Sequence, residues 1–162
     1  MSPKLQYLRL TLKHKWFLFV AGRKLKVSLW RRITHDWTKL LPKNLKAYGR
    51  QFFGDADQPV EFVESWLRHQ NSHDHHWEYW IPRTGHNRCT PPIPSMVPLD
   101  MSDQAIREMV ADWLAAGRAY NNAWPDMNNW TWFNKNYETN ILDFVSLETH
   151  LKITELIESL KD

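Results

Sequence analysis

Cysteine is nearly absent from this sequence: Cys89 is the only one in 162 residues. A lone cysteine excludes an internal disulfide and any Cys-rich zinc knuckle, and it fits a reducing cytoplasm. Glycine is scarce as well, at five positions, and no repeat or low-complexity tract is present. With 43% hydrophobic and 24% charged residues, the profile is globular rather than disordered. Long apolar runs are also missing. The run Trp16 to Ala21 lies between Lys13, Lys15 and Lys24, Lys26, is too short to cross a membrane, and is followed by no small-residue cleavage site. It reads as a buried helix face. The length is that of one domain, 1–162, able to bury a core without staples.

What the chain has in excess is tryptophan, ten residues, and histidine, eight. The tryptophans imply a strongly aromatic core or an aromatic-lined site. The net charge of +3 and pI near 9.0 are unevenly spread. Lysine and arginine crowd the first fifty residues, whereas Glu148, Glu155, Glu158 and Asp162 mark the C-terminal part. A basic face of this kind suits a phosphate, a nucleotide or nucleic acid.

The periodicity reads as helix throughout. Pro3 opens a first helix to about Ala21, with Leu5, Leu8, Leu12, Trp16 and Phe19 as its apolar stripe and His14 at the stripe's edge. Ser28 caps a second, carrying His35 and Asp36 on towards Leu41 before Pro42. On that helix Asp36 and Lys39 are three apart and share a face, which also describes an ordinary surface ion pair. After Tyr48, Phe52, Phe53 and a turn at 54–59, a third helix runs from Val60 to about Tyr79 with the densest histidine cluster. A regular helix would face His69, His73 and His76 one way and His75 another. The segment 81–98 is Pro-rich, with Arg83, His86, Arg88 and Cys89, and reads as a loop beside a cleft. Ser102 starts a fourth helix to about Tyr120, with Asp112 on a flank of small residues, Ala105, Ala116 and Ala119, and Glu108 one turn earlier. The stretch 122–140 has no clear assignment, and Ser146 begins a last packing helix, with His150 on its surface.

A histidine, a His-Asp pair, spaced histidines and a distal aspartate, in that order on successive helices, resemble the HD superfamily of metal-dependent phosphohydrolases. The strings Lys13-His14-Lys15-Trp16, Ala21-Gly22-Arg23, His35-Asp36-Trp37-Thr38-Lys39, His75-His76-Trp77-Glu78-Tyr79-Trp80 and Met109-Val110-Ala111-Asp112-Trp113 more closely resemble a family of small uncharacterised phage and bacterial proteins, over about residues 4–120. The resemblance implies an all-α, compact helical bundle of the HD type, with the C-terminal helix, about 146–161, packed on a core of about 4–120. It implies His14, His35, Asp36 and Asp112 around one divalent metal. A second metal, if bound, would share Asp36 and be held by His69 and by His75 or His76. Where the closer relatives favour an asparagine, this chain has His73.

The expected activity is hydrolysis of a nucleotide or related phosphoester by metal-activated water, with Mn, Co, Zn, Fe or Mg as the metal. Lys39, Arg23 and Arg118 are the expected phosphate-binding cations; Asp36, Lys39 and Glu78 are the expected catalytic group, with Glu108 as another acid able to orient water. An HD-fold di-iron oxygenase and a non-catalytic nucleotide- or nucleic-acid-binding protein are the alternatives. Nucleic acid is disfavoured because most tryptophans fall on apolar helix faces rather than on exposed platforms. A membrane partner is not expected. The expected location is the cytoplasm, that of the host if a phage encodes the chain.

Overall fold

A computed structural model describes residues 1–54, 59–82 and 98–161. Among these residues the chain is entirely helical and without strands: α1 (Pro3–Lys24), α2 (Leu29–Thr34), α3 (Pro42–Phe53), α4 (Val60–Ser72), α5 (Asp103–Asn121), α6 (Thr131–Asn140) and α7 (Leu147–Glu158). Short 3-10 turns cover Trp37–Leu40, Trp77–Trp80 and Leu142–Phe144. The expected loop spans 81–98, and its residues 83–97, with Arg83, His86, Arg88 and Cys89, lie outside the described residues.

The central element is α5. Ser102 caps it by accepting a hydrogen bond from the backbone N–H of Ala105 at 3.2 Å. Ile106, Met109, Val110 and Leu114 are buried on it, and so are Ala105, Ala111, Ala115 and Ala119, small residues that let α1 pack closely alongside. Burying each large apolar side chain contributes about 1.5–3 kcal/mol. α7 closes the other side of this core through Ile153 and Ile157. Its Ser146 caps the Thr149 N–H, while Thr149 Oγ1 accepts from the backbone N–H of Met101 at 2.9 Å.

α1 departs from the reading of its stripe. Its buried face is Tyr7, Thr11, His14, Leu18 and Ala21, whereas Leu12 and Trp16 are 53% and 64% exposed. At 100° per residue the buried set and the Leu5, Leu12, Trp16 set lie on nearly opposite sides of the helix. Two of the six buried residues of α1, Thr11 and His14, are polar, so the apolar pattern pointed to the wrong face. Thr11 is satisfied locally by donating to the Tyr7 carbonyl at 2.9 Å. The Trp16–Ala21 run is accordingly split between solvent and core rather than buried as a face.

Other readings change as well. Pro42 begins α3 at its first turn rather than ending a helix. Gly49 on α3 lets that helix lie against the start of α1, since a Cβ there would meet the Lys4 backbone at 2.9 Å. The unassigned Asn- and Trp-rich stretch contains α6, held by buried Trp130 and Tyr137. His150 is half-buried, with Nδ1 2.9 Å from the Tyr137 hydroxyl. The tryptophans do not lie mainly in apolar interfaces: Trp16, Trp30, Trp37, Trp124 and Trp132 are exposed. No helix among the described residues is long and apolar enough to cross a membrane.

Candidate metal centre

Four chain segments deliver ligand-type side chains to one buried point between α1, α4 and α5. α1 presents His14, and α5 presents Glu108 and Asp112 one turn apart on its inner side. The other two segments do so by breaking. α2 stops at Thr34, His35 leaves the helical conformation, and Asp36 turns left-handed with φ 54°. Aspartate tolerates that conformation better than most residues. The turn buries both neighbours, His35 at 1% exposure and Asp36 at 0%. α4 likewise ends at Ser72, well short of the expected Tyr79, and extended His73 leads into a bend that carries His75 inward. His75 therefore joins the cluster that a regular helix would have kept it from.

Two four-residue groups result, each with its ligand atoms within 4.8 Å of one another: His14, His35, Asp36 and Asp112, and Asp36, His69, His75 and His76. Asp36 belongs to both. His14 Nε2 lies 2.8 Å from Asp112 Oδ1, and His69 Nε2 lies 3.0 Å from Asp36 Oδ1. His35 Nε2 is 3.3 Å from Asp36 Oδ2, and His75 Nε2 is 3.5 Å from Asp36 Oδ1. Despite these separations, the Nε2 atoms of His35, His69, His75 and His76 lack a hydrogen bond of acceptable geometry, and the oxygens of Asp36 are met only by ion-pair contacts, Oδ2 by the Lys39 ammonium. Buried polar atoms are ordinarily paired, and an unpaired one costs about 1–3 kcal/mol. Several unpaired donor atoms collected around one carboxylate fit a divalent cation, which takes lone pairs in place of protons. Imidazole with carboxylate suits Zn, Mn, Fe or Co better than an all-oxygen metal such as Mg.

The outward ring nitrogens are held from behind. His35 Nδ1 lies 2.8 Å from Glu108 Oε1, and His75 Nδ1 lies 3.3 Å from the same oxygen. Arg31 Nε donates to the other Glu108 oxygen at 2.5 Å and its guanidinium also pairs with Asp74. Thr38 Oγ1 sits between His69 Nδ1 at 3.0 Å and His73 Nε2 at 2.9 Å. Support of this kind fixes the tautomer and aim of metal-binding histidines. Glu108 is thus a clamp on two imidazoles rather than an acid facing water. Its spacing of four from Asp112 was the signal for it, since that spacing puts both on one helix face.

Charge is balanced across the cluster. Burial opposes ionisation of Asp36, yet the His35 and Lys39 charges outweigh it and hold its pKa well below the carboxylate range. Burial is likewise outweighed at Asp112, by the adjacent His14 and His35 imidazoles, and at Glu108, by those of His35 and His75. His35 is raised well above an ordinary histidine because Asp36, Asp112 and Glu108 overcome its burial. Burial lowers His69 and His76, favouring their neutral forms. Burial and the nearby His69 lower His73 to about 4.

Two cavities flank the cluster. One, of about 280 Å³, reaches His14, Asp36, His76 and Asp112 and is walled by aromatic rings from α1, α3 and α4. Lys39 lies where the cluster meets these rings, with Nζ 2.5 Å from Asp36 Oδ2 and 5.9 Å from the Trp66 ring centre. The other, of about 590 Å³, is polar and opens beside Arg31, His73 and Asp74 on the far side.

Of the expected site residues, the structure brings together His14, His35, Asp36, Lys39, His69, His75, His76 and Asp112. It does not bring the others. Glu78 stands behind His76, 3.9 Å from its Nδ1, hydrogen-bonds Gln70, and lines neither cavity. Arg23 is exposed on the last turn of α1, nine residues and half a revolution from His14. Arg118 lines neither cavity, and its guanidinium lies 4.8 Å from the centre of the Phe17 ring. His73, which a regular helix would have aimed with His69 and His76, pairs with Thr38 instead. The aromatic wall, Tyr48 and Phe62 in particular, had no motif to announce it.

The chain matches a family of unknown function, DUF5662, over residues 4–160, and belongs to that family. No curated protein and no solved structure matches it.

Proposed function

We propose that this chain is a metal-dependent phosphohydrolase of the HD type, acting on a phosphoester with one metal or with two that share Asp36. The observation that carries the reading is the pair of four-residue donor groups joined through one carboxylate, with unpaired imidazole nitrogens converging on it. His14, His35, Asp36 and Asp112 would hold one cation, and Asp36, His69, His75 and His76 the other. A metal in such a site lowers the pKa of a bound water towards neutrality and neutralises phosphoryl oxygens.

The protein's own groups have distinct tasks. Asp36, ionised by its setting, keeps the two halves of the site in register. Lys39 is the one cation lining the aromatic cavity among the described residues, and its ammonium can hold a phosphoryl oxygen next to Asp36. Glu108 and Thr38 fix the imidazole rings, so the site needs little reorganisation when substrate arrives. The aromatic walls exclude water from the reacting end of the cavity. The substrate is small and phosphorylated, and a nucleotide is within this class.

The test is elemental analysis of the purified protein, followed by a phosphoester screen with manganese, cobalt and zinc. Stoichiometric metal with phosphatase or phosphodiesterase activity is expected; a metal-free protein that stays inactive after loading would overturn the reading. A di-iron oxygenase is the second reading, favoured by the largely apolar cavity wall and by Arg23 and Arg118 lying elsewhere. Iron as the tightly held metal, with oxygen uptake and no phosphoester turnover, would select it.

A further inference from the structure

The proposed phosphohydrolase reading leaves the aromatic cavity without a task beyond excluding water. We infer that this cavity holds the organic part of the substrate, and that this part is a flat aromatic group carrying a single phosphoryl ester. The inference rests on the phosphohydrolase reading for the phosphoryl end and on the cavity for the rest.

The cavity is small, about 280 Å³, near the lower limit for small-molecule sites, so it takes one compact body. Tyr7, Tyr48, Phe52, Phe62, Trp66 and Tyr120 line it. Tyr48 and Phe52 have parallel rings, 1° apart, and Phe62 meets both edge-on at 86° and 87°. Rings held in these mutual orientations offer both faces and edges to an added ring, and stacking discriminates a flat guest from an alkyl one. Sugar or glycerol hydroxyls would find few partners along such a wall.

The polar features are few and directional. Lys39 stands where the charged cluster meets the Trp66 ring, which places the anionic end of a ligand at the cluster and its body against the rings. No second lysine or arginine lines the cavity among the described residues. A polyphosphate chain or a nucleic-acid backbone would therefore lack counter-charges, and one phosphoryl group is what the site neutralises. Tyr48 is 2% exposed, and its hydroxyl has no hydrogen-bond partner. A buried phenol on a cavity wall in that condition is a waiting partner for a polar substituent on the guest ring.

The test uses the full-length, metal-loaded protein and non-hydrolysable probes in titration calorimetry: phenylphosphonate, 4-hydroxyphenylphosphonate and methylphosphonate. Phenylphosphonate is expected to bind at least about tenfold tighter than methylphosphonate, the size of a stacking contact plus burial. Phe62→Leu should remove most of that preference while leaving methylphosphonate affinity and metal content unchanged. Tyr48→Phe should weaken 4-hydroxyphenylphosphonate several-fold and leave phenylphosphonate unchanged. Equal affinities for the phenyl and methyl probes in the unmodified protein overturn the inference, whatever the variants do. Loss of the hydrolase reading looks different: the aryl preference persists, and no phosphomonoester is turned over with any metal.

Discussion

Glu108 offers the sharpest perturbation, because it touches the proposed ligands without being one. Its Oε1 faces Nδ1 of His35 and of His75, and its Oε2 accepts from Arg31. In Glu108→Gln the amide keeps the shape but loses the charge. It can accept from the imidazoles only by turning its NH2 toward Arg31, where donor meets donor. Loss of an outer carboxylate behind metal-bound histidines typically costs about 10- to 100-fold in metal affinity. That range is about 1.4–2.7 kcal/mol. A second effect runs the other way. Glu108 helps raise His35, so the metal must displace a proton there, and the amide weakens that competition. The affinity deficit should therefore be smaller near pH 6.5 than near pH 8. Competition titrations of zinc against a chromophoric chelator at both pH values give the two constants, and the visible spectrum of the cobalt form reports whether the coordination geometry shifts. Arg31→Met is the control, since it disturbs the same salt bridge but leaves the carboxylate behind the imidazoles. Equal affinities for Glu108→Gln and unmodified protein at both pH values, with an unchanged cobalt spectrum, would refute the clamp and reduce Glu108 to a partner of Arg31.

Three further outcomes are expected. Asp36→Asn suits the left-handed backbone at φ 54° as well as aspartate does, so its effects are those of charge and ligation. It should lower metal content in both halves of the site and reduce any phosphoesterase activity by more than the hundredfold that loss of a supporting residue costs; full metal content in this variant would remove the shared-carboxylate reading. Metal binding at pH 7 should release about one proton, because the raised pKa of His35 leaves imidazolium to be displaced. Binding enthalpies measured in buffers of different ionisation heat count the protons, and a count of zero contradicts the electrostatic account. Ile153→Ala empties a fully buried position on α7 far from the ligands, and should cost about 2–5 kcal/mol in denaturant unfolding with unchanged metal stoichiometry.

The elements that the sequence made legible are those whose ends and faces agree. Ser102 and Ser146 sit three residues before the N–H groups they cap, and the Ile106, Met109, Val110 and Ile153, Ile157 spacings continue into the core. α1 was legible as a helix but not in its facing. Its inward side spends Thr11 and His14 on the site, while Leu5 and Leu12 of the periodic stripe lie outside. α6 was hidden for the opposite reason, since Asn134, Asn136 and Asn140 weaken any local helical signal and Trp130 and Tyr137 supply the packing instead. The metal-type residues came from their order along the chain and from the family likeness, while periodicity alone misplaced His73 and His75.

That misplacement has a geometric origin in the site itself. Successive residues of a helix point about 100° apart, so no continuous helix can aim both members of His35-Asp36, or of His75-His76, at one point. The structure does aim both pairs, and it does so by ending α2 at Thr34 and α4 at Ser72. Asp36 takes a left-handed conformation and His73 an extended one where each helix gives out. Adjacent ligands thus require the helical period to fail where they occur. In this fold a histidine pair that breaks an otherwise amphipathic pattern is informative because it breaks it, and the regular reading of 60–79 erred by continuing the helix through the chemistry.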